Sequence, residues 1–187
     1  LSVDAVVDFI KEDAENEKFS MAGLKEEEDL FSSIWKSVGN RWAWLAINLV
    51  TALIASRVIG IFEGSIEKVV ALAALMPIVA GIGGNSGNQT TTMIVRGLAL
   101  GQVSFSNVQR LIYKELGVAL LNGILWGGVL GVFAYILYDN IYLGYVMTGA
   151  MILNLLLSAL MGVMIPLILT KLGRDPAVGS SILITAM

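Results

Sequence analysis

Four apolar stretches, roughly residues 42–62, 69–95, 116–137 and 146–172, dominate this chain, and each is long enough to cross a lipid bilayer. About 20 apolar residues in helical conformation span the hydrocarbon layer. Lipid offers no hydrogen bonds to a bare backbone, so such segments must satisfy their own peptide groups, as helices do. A fifth stretch, residues 177–187, is apolar but too short to cross and reads as the first half of a further span. The expected fold is all-α: a polytopic membrane helix bundle with four complete spans and the start of a fifth, preceded by an amphipathic cytoplasmic helix.

Charge is distributed accordingly. Ten of the fifteen acidic residues lie between Asp4 and Asp29, so the net charge of -3 belongs to an acidic arm joined to a nearly neutral body. No basic stripe is present to hold phosphates, and nucleic acid is not an expected partner. The chain has no cysteine and no histidine. That removes disulfides, thiol nucleophiles, imidazole bases and Cys/His metal sites, and leaves oxygen ligands suited to magnesium, calcium or manganese. No catalytic constellation is visible, and the chain does not read as an enzyme.

Residues 1–17 form an amphipathic pattern with Ala5, Val6, Phe9 and Ile10 on its apolar stripe. Residues 18–41 continue it as a connector carrying Leu24, Leu30, Phe31, Ile34, Trp35 and Val38 at helical spacing. Gly39-Asn40 before the first span and Gly173-Arg174-Asp175-Pro176 after the fourth are turn signals. The chain starts with Leu and lacks a signal-peptide pattern, so it reads as a piece of a longer protein. Lys36 and Arg41 precede span one, Arg96, Arg110 and Lys114 separate spans two and three, and Lys171 and Arg174 follow span four. Cytoplasmic loops are enriched in Lys and Arg, which puts the N-terminus and these loops in the cytoplasm.

The second span ends in PIVAGIGGNSGNQTTT, residues 77–92. Polar groups at membrane depth survive only when buried in protein or lining a wet cavity. At 3.6 residues per turn, Pro77, Gly81, Asn85, Asn88 and Thr92 share one face. Such a face supplies amides and thinned backbone, as a pore wall would. Asn85, Asn88 and Gln89 taken singly could instead tie helices together. The run is not a phosphate loop, because the Gly-Lys-Ser/Thr ending is missing. Gly123, Gly127 and Gly131 in span three form a small-xxx-small series suited to close helix packing. Glu115 at the entry of that span could pair with Arg110 or Lys114, or line an ion vestibule. Arg57 could snorkel or pair with Glu63. Asn154 and Ser158 share a face of span four and could hydrogen-bond to a neighbouring helix. No Asp lies inside the four spans, so a cation path would have to meet a hydrated ion through carbonyls and amides.

Pro77, Gly81, Gly83, Gly84, Asn85, Gly87, Asn88 and Gln89, followed by Arg96-Gly97-Leu98-Ala99, resemble the P-x-x-x-G-x-G-G-N-x-G-N-Q signature of the MgtE family of magnesium channels. Lys114-Glu115-Gly117, Met164-Ile165-Pro166 and Leu172-Gly173-Arg174-Asp175-Pro176-Ala177 extend the resemblance over essentially the whole chain. It implies a homodimer in a bacterial inner membrane, with cytosolic regulatory domains, a connecting plug helix and five membrane helices. Residues 1–17 would be the tail of a CBS-like region, 18–41 the plug helix, and 42–187 the pore domain, truncated before helix five ends.

The resemblance also assigns sites. Gly81 and Asn85 would face a pore on the dimer axis, with Asn88 and Gln89 beside them and Ser181 and Thr185 opposite. Independently of the resemblance, Pro77 is expected to serve helix packing, as are Gly123, Gly127 and Gly131 by their spacing. Ser181 stands where some members have Asn, and Ala159 replaces an Asn of span four. The family's central pore aspartate would fall just after Met187. Glu12, Asp13 and Glu17, with Glu15, resemble the region that binds regulatory magnesium between the CBS tail and the plug. The function this implies is a channel conducting hydrated magnesium and gated by cytosolic magnesium, which is the transported and the regulatory ion, with no organic cofactor. A coupled divalent cation exchanger and a non-conducting membrane sensor or scaffold are the alternatives.

Overall fold

The computed structural model describes residues 31–103, 107–173 and 175–176. The described part is all-helical, with α1 (Ile34–Gly60), α2 (Glu63–Lys68), α3 (Val70–Ala99), α4 (Val108–Tyr138) and α5 (Ile141–Lys171) in chain order. The four long helices are those expected, and each is long and apolar enough to cross a membrane. Most run past the apolar stretches read from sequence. Thirty-one helical residues extend about 46 Å, against a hydrocarbon layer of about 30 Å, so polar turns project at the ends and hydropathy does not mark them. The expectations for residues 1–30 and for the fifth span at 177–187 lie outside the described residues.

One expected boundary is absent. Gly39-Asn40 makes no turn, and α1 passes through both residues without interruption. A glycine inside a helix costs only about 1 kcal/mol relative to alanine. Nothing lies within 4 Å of where a Gly39 Cβ would be, so no packing contact forces the chain aside there. α1 buries none of its residues. The expected turn after the fourth span is present: α5 ends at Lys171, and Gly173 takes φ +66°.

The centre of the bundle is α5, which packs against both α3 and α4. Helices α4 and α5 form a tight hairpin. Asp139 closes α4 in the left-handed region at φ 49°, and the Asn140 side chain caps α5 by accepting from the backbone N–H groups of Tyr142 (3.0 Å) and Leu143 (3.3 Å). Those two bonds satisfy donors that the first turn of a helix otherwise leaves open.

The expected glycine series forms the hairpin's seam. A Cβ on Gly123 would come 3.0 Å from the Ile152 Cα, one on Gly127 3.0 Å from the Thr148 carbonyl oxygen, and one on Gly131 2.7 Å from the Gly144 carbonyl oxygen. The two backbones approach because those side chains are missing. The Thr148 hydroxyl sits in the seam, 3.0 Å from the Gly127 carbonyl and 2.9 Å from that of Gly144.

The apolar core follows from this arrangement. One cluster joins Leu75 of α3 to Ala119, Leu130 and Ala134 of α4 and to Leu143, Met147, Met151 and Leu155 of α5. A second, around Ile94, Val163 and Leu167, collects Leu98, Val103, Val108, Leu111 and Ile112 at the end that carries the α3–α4 loop.

Candidate functional site

Helix α3 is the least helix-prone of the spans by composition. Pro77 lacks an amide N–H, and Gly81, Gly83, Gly84 and Gly87 each weaken a helix by roughly 1 kcal/mol relative to Ala. It nevertheless forms one continuous helix of 30 residues. Tertiary contacts on one of its faces hold it.

That face is Leu75, Gly83, Gly87, Thr90, Thr91, Ile94, Val95 and Gly97, all buried. Across the helix, Pro77, Gly81, Asn85, Asn88, Gln89 and Thr92 are all exposed. Pro77, expected to serve helix packing, is thus exposed rather than packed among the described residues. It lies one turn before Gly81 on the exposed face, where helical periodicity puts it.

The glycines divide between the two faces. A Cβ at Gly81 or Gly84 would meet nothing within 4 Å, whereas one at Gly83 would land on the amide of Asn154, 2.6 Å from its Cγ. Gly162 of α5 closes on the same buried face, where its Cβ would lie 3.0 Å from the Gly87 carbonyl oxygen and 2.9 Å from the Thr90 Cβ.

Three polar ties fix α3. In the first, Asn154 Nδ2 of α5 donates to the Val79 carbonyl at 2.6 Å. This is the interhelical bond that its position suggested. In the second, Thr91 Oγ1 donates to the Gly162 carbonyl at 3.3 Å. Pro166, four residues after Gly162, has no N–H to offer that carbonyl, and Thr91 supplies the donor instead. In the third, Thr90 Oγ1 donates to Glu115 Oε2 at 3.2 Å, while Lys114 Nζ lies 3.0 Å from Oε1. Glu115 is only 4% exposed, so its carboxylate is turned into the α3–α4 contact, and Lys114 rather than Arg110 is its cationic partner. No Arg57–Glu63 ion pair forms among the described residues, and Arg57 is exposed in the last turn of α1.

Sequence reasoning did not single out Thr90, Thr91 and Gly162. A usable signal existed, because a proline inside a span implies a carbonyl four residues earlier that needs an outside donor. Ser181, Thr185, Glu12, Asp13 and Glu17 lie outside the described residues.

The exposed face offers amide and carbonyl groups and no carboxylate. Among the described residues, no group of three or more Asp or Glu side chains could hold a metal ion directly. A cation meeting this face would be contacted by neutral oxygens, which suits an ion that keeps its water shell.

A family model described as a divalent cation transporter, MgtE, matches residues 76–187, beginning at this helix. The chain belongs to the MgtE family. Over its whole length it is 32% identical to the magnesium transporter MgtE of Bacillus subtilis, 30% to that of Enterococcus faecalis and 29% to that of Thermus thermophilus. It spans 41–42% of the length of these relatives, so the chain corresponds to less than half of each MgtE protein.

Proposed function

We propose that this chain is the membrane part of a magnesium channel of the MgtE family, in which two copies place the exposed face of α3 on a shared axis and hydrated magnesium passes between them. One observation carries the reading: Pro77 and the glycine and polar positions Gly81, Asn85, Asn88 and Thr92 line up on an exposed face of α3, while the other face of the same helix is packed and tied to α4 and α5. A row of amides facing lipid would be unfavourable. Water and a second copy of the row relieve that cost.

Gly81 supplies the thin wall and an approachable carbonyl, and Asn85 supplies the amide oxygen nearest to it on the same face. Ser181 and Thr185 would complete the path. Residues 1–17 and 18–41 are the regulatory tail and the plug, and 42–187 the pore domain. Glu12, Asp13 and Glu17 would bind regulatory magnesium, because crowded carboxylates repel and a divalent ion relieves the repulsion. Lys and Arg flanking the helices support a cytoplasmic N-terminus, and the MgtE resemblance supports an inner membrane.

Electrophysiology on the full-length gene product in planar bilayers tests this. A channel gives unitary magnesium currents. A coupled exchanger shows countertransport without them, and a sensor or scaffold shows neither. Either of the last two results overturns the proposal.

A further inference from the structure

We infer that Asn154, which lies behind the ion-facing stretch of α3 and does not belong to it, is the positioning residue of the ion path. The inference rests on the pore reading of α3 and adds to it the side chain that sets the wall's place.

Between Pro77 and Gly87 the helix has the composition of a segment that would unwind. Proline removes one ladder bond, and the glycines favour no single conformation. Something outside the helix must hold it, and in this stretch the Asn154 amide is the side-chain donor that does. A carbonyl only accepts, so the atom 2.6 Å from the Val79 oxygen is the NH2 nitrogen. The Val79 carbonyl is also the one that the Gly83 N–H reaches in an α-helix, and its second lone pair is free for Asn154.

Gly83 makes the slot. Its missing side chain is the space that the Asn154 amide occupies, since a Cβ there would overlap the amide group. Gly83 stands two residues after Gly81 and two before Asn85, about 200° around the helix from each. The tie therefore sits directly behind the two positions proposed to meet the ion. Shifting α3 by a fraction of an ångström at Val79–Gly83 moves the Gly81 carbonyl and the Asn85 amide by a similar amount. Asn154 touches neither the ion nor its water.

A merely structural role and a positioning role separate in flux kinetics. Loss of folded protein lowers maximal flux and leaves the half-saturating magnesium concentration alone. A displaced wall changes the half-saturating concentration itself. The experiment measures magnesium flux into liposomes containing the full-length gene product. Asn154→Leu keeps the side chain's heavy-atom count and branch point, though it is bulkier, and removes its donor. It should raise the half-saturating concentration about 3- to 10-fold, as expected from loss of one hydrogen bond. An unchanged value overturns the inference.

If Asn154→Leu does not fold, Gly83→Ala and the Gly83→Ala/Asn154→Ala pair decide it. The new methyl should expel the amide in the single variant, and the pair should fold better because the slot is emptied for it. Both should share a raised half-saturating concentration. A wild-type value in either overturns the inference. Asn85→Ala, run in parallel, isolates the underlying reading. If it changes the half-saturating concentration and Asn154→Leu does not, the positioning role alone fails. If Asn85→Ala has no effect, the pore face itself is wrong and the inference falls with it.

Discussion

The Thr91 hydroxyl donates to the Gly162 carbonyl, the one carbonyl of α5 that Pro166 deprives of its helical partner. The two residues sit on different helices, and the side chain of one repairs the backbone of the other. Thr91 is 2% exposed, so water cannot stand in for it. Thr91→Val keeps the shape and removes the donor, and should destabilise the bundle by about 1–2 kcal/mol. In a Pro166→Ala background the amide of residue 166 can bond to Gly162, and the same substitution should cost much less. Thermal melts of the four proteins in detergent give the coupling. Equal costs in both backgrounds would show that Thr91 does not serve that carbonyl.

The glycines of α4 make a second contrast. A Cβ at Gly131 would lie 2.7 Å from the Gly144 carbonyl oxygen, whereas at Gly128 it would meet nothing within 4 Å. Gly131→Ala should destabilise by about 1–3 kcal/mol, because backbone has to move. Gly128→Ala should be neutral or stabilise by up to about 1 kcal/mol through helix propensity. Melting curves of the two variants check this, and a reversed order would refute the seam.

Much of this was legible in the sequence for physical reasons. Long apolar runs in lipid leave few folds, so the four spans and the Gly123–Gly127–Gly131 seam follow from hydropathy and spacing alone. The exposed face of α3 also followed from periodicity, since Pro77, Gly81, Asn85, Asn88 and Thr92 fall on it in the structure as expected. What periodicity could not supply was the division of labour among neighbouring glycines. Gly81 and Gly83 look alike in sequence, and only the position of Asn154, far along the chain on α5, makes one a slot and leaves the other open. The Gly39-Asn40 turn failed for a similar reason. Local breakers are weak against a long helix unless a tertiary contact uses them.

Glu115 and Thr90 are buried together, so their substitutions should not add. Glu115→Gln retains an acceptor for the Thr90 hydroxyl and should cost little. Glu115→Leu orphans that hydroxyl and should cost about 1–3 kcal/mol. Combining Glu115→Leu with Thr90→Val removes both partners, and the double variant should be more stable than Glu115→Leu alone. Melts of this cycle test it, and strictly additive costs would mean that the 3.2 Å contact carries no energy.

Topology gives a test that needs no function. Helix α4 is about 46 Å long at 1.5 Å per residue, so its two ends emerge on opposite sides of the membrane. In the proposed orientation, which follows the Lys and Arg bias, the Arg110 end is cytoplasmic. A cysteine placed at Arg110 should react with an impermeant maleimide only from the cytoplasmic side, and one at Asp139 only from outside. The chain has no native cysteine to confuse the reading. The opposite labelling pattern would invert the orientation.

Gly81 and Asn85 carry the sharpest test of the proposed path. Both are exposed on α3, and a Cβ at Gly81 has nothing within 4 Å. Gly81→Leu should therefore leave the folded chain intact while filling the space where the ion would pass, so conduction should stop with little change in melting temperature. Asn85→Ala should act more mildly. Losing one amide contact to a hydrated ion is worth about 1 kcal/mol, or twice that where charge assists. The half-saturating magnesium concentration should rise roughly 5- to 30-fold on that basis. If Asn85 instead ties two helices or two copies together, Asn85→Ala would lower the melting temperature or break the dimer while the remaining protein conducts normally. Currents, melting temperature and oligomeric state measured on the same two variants of the full-length gene product distinguish a wall from a tie.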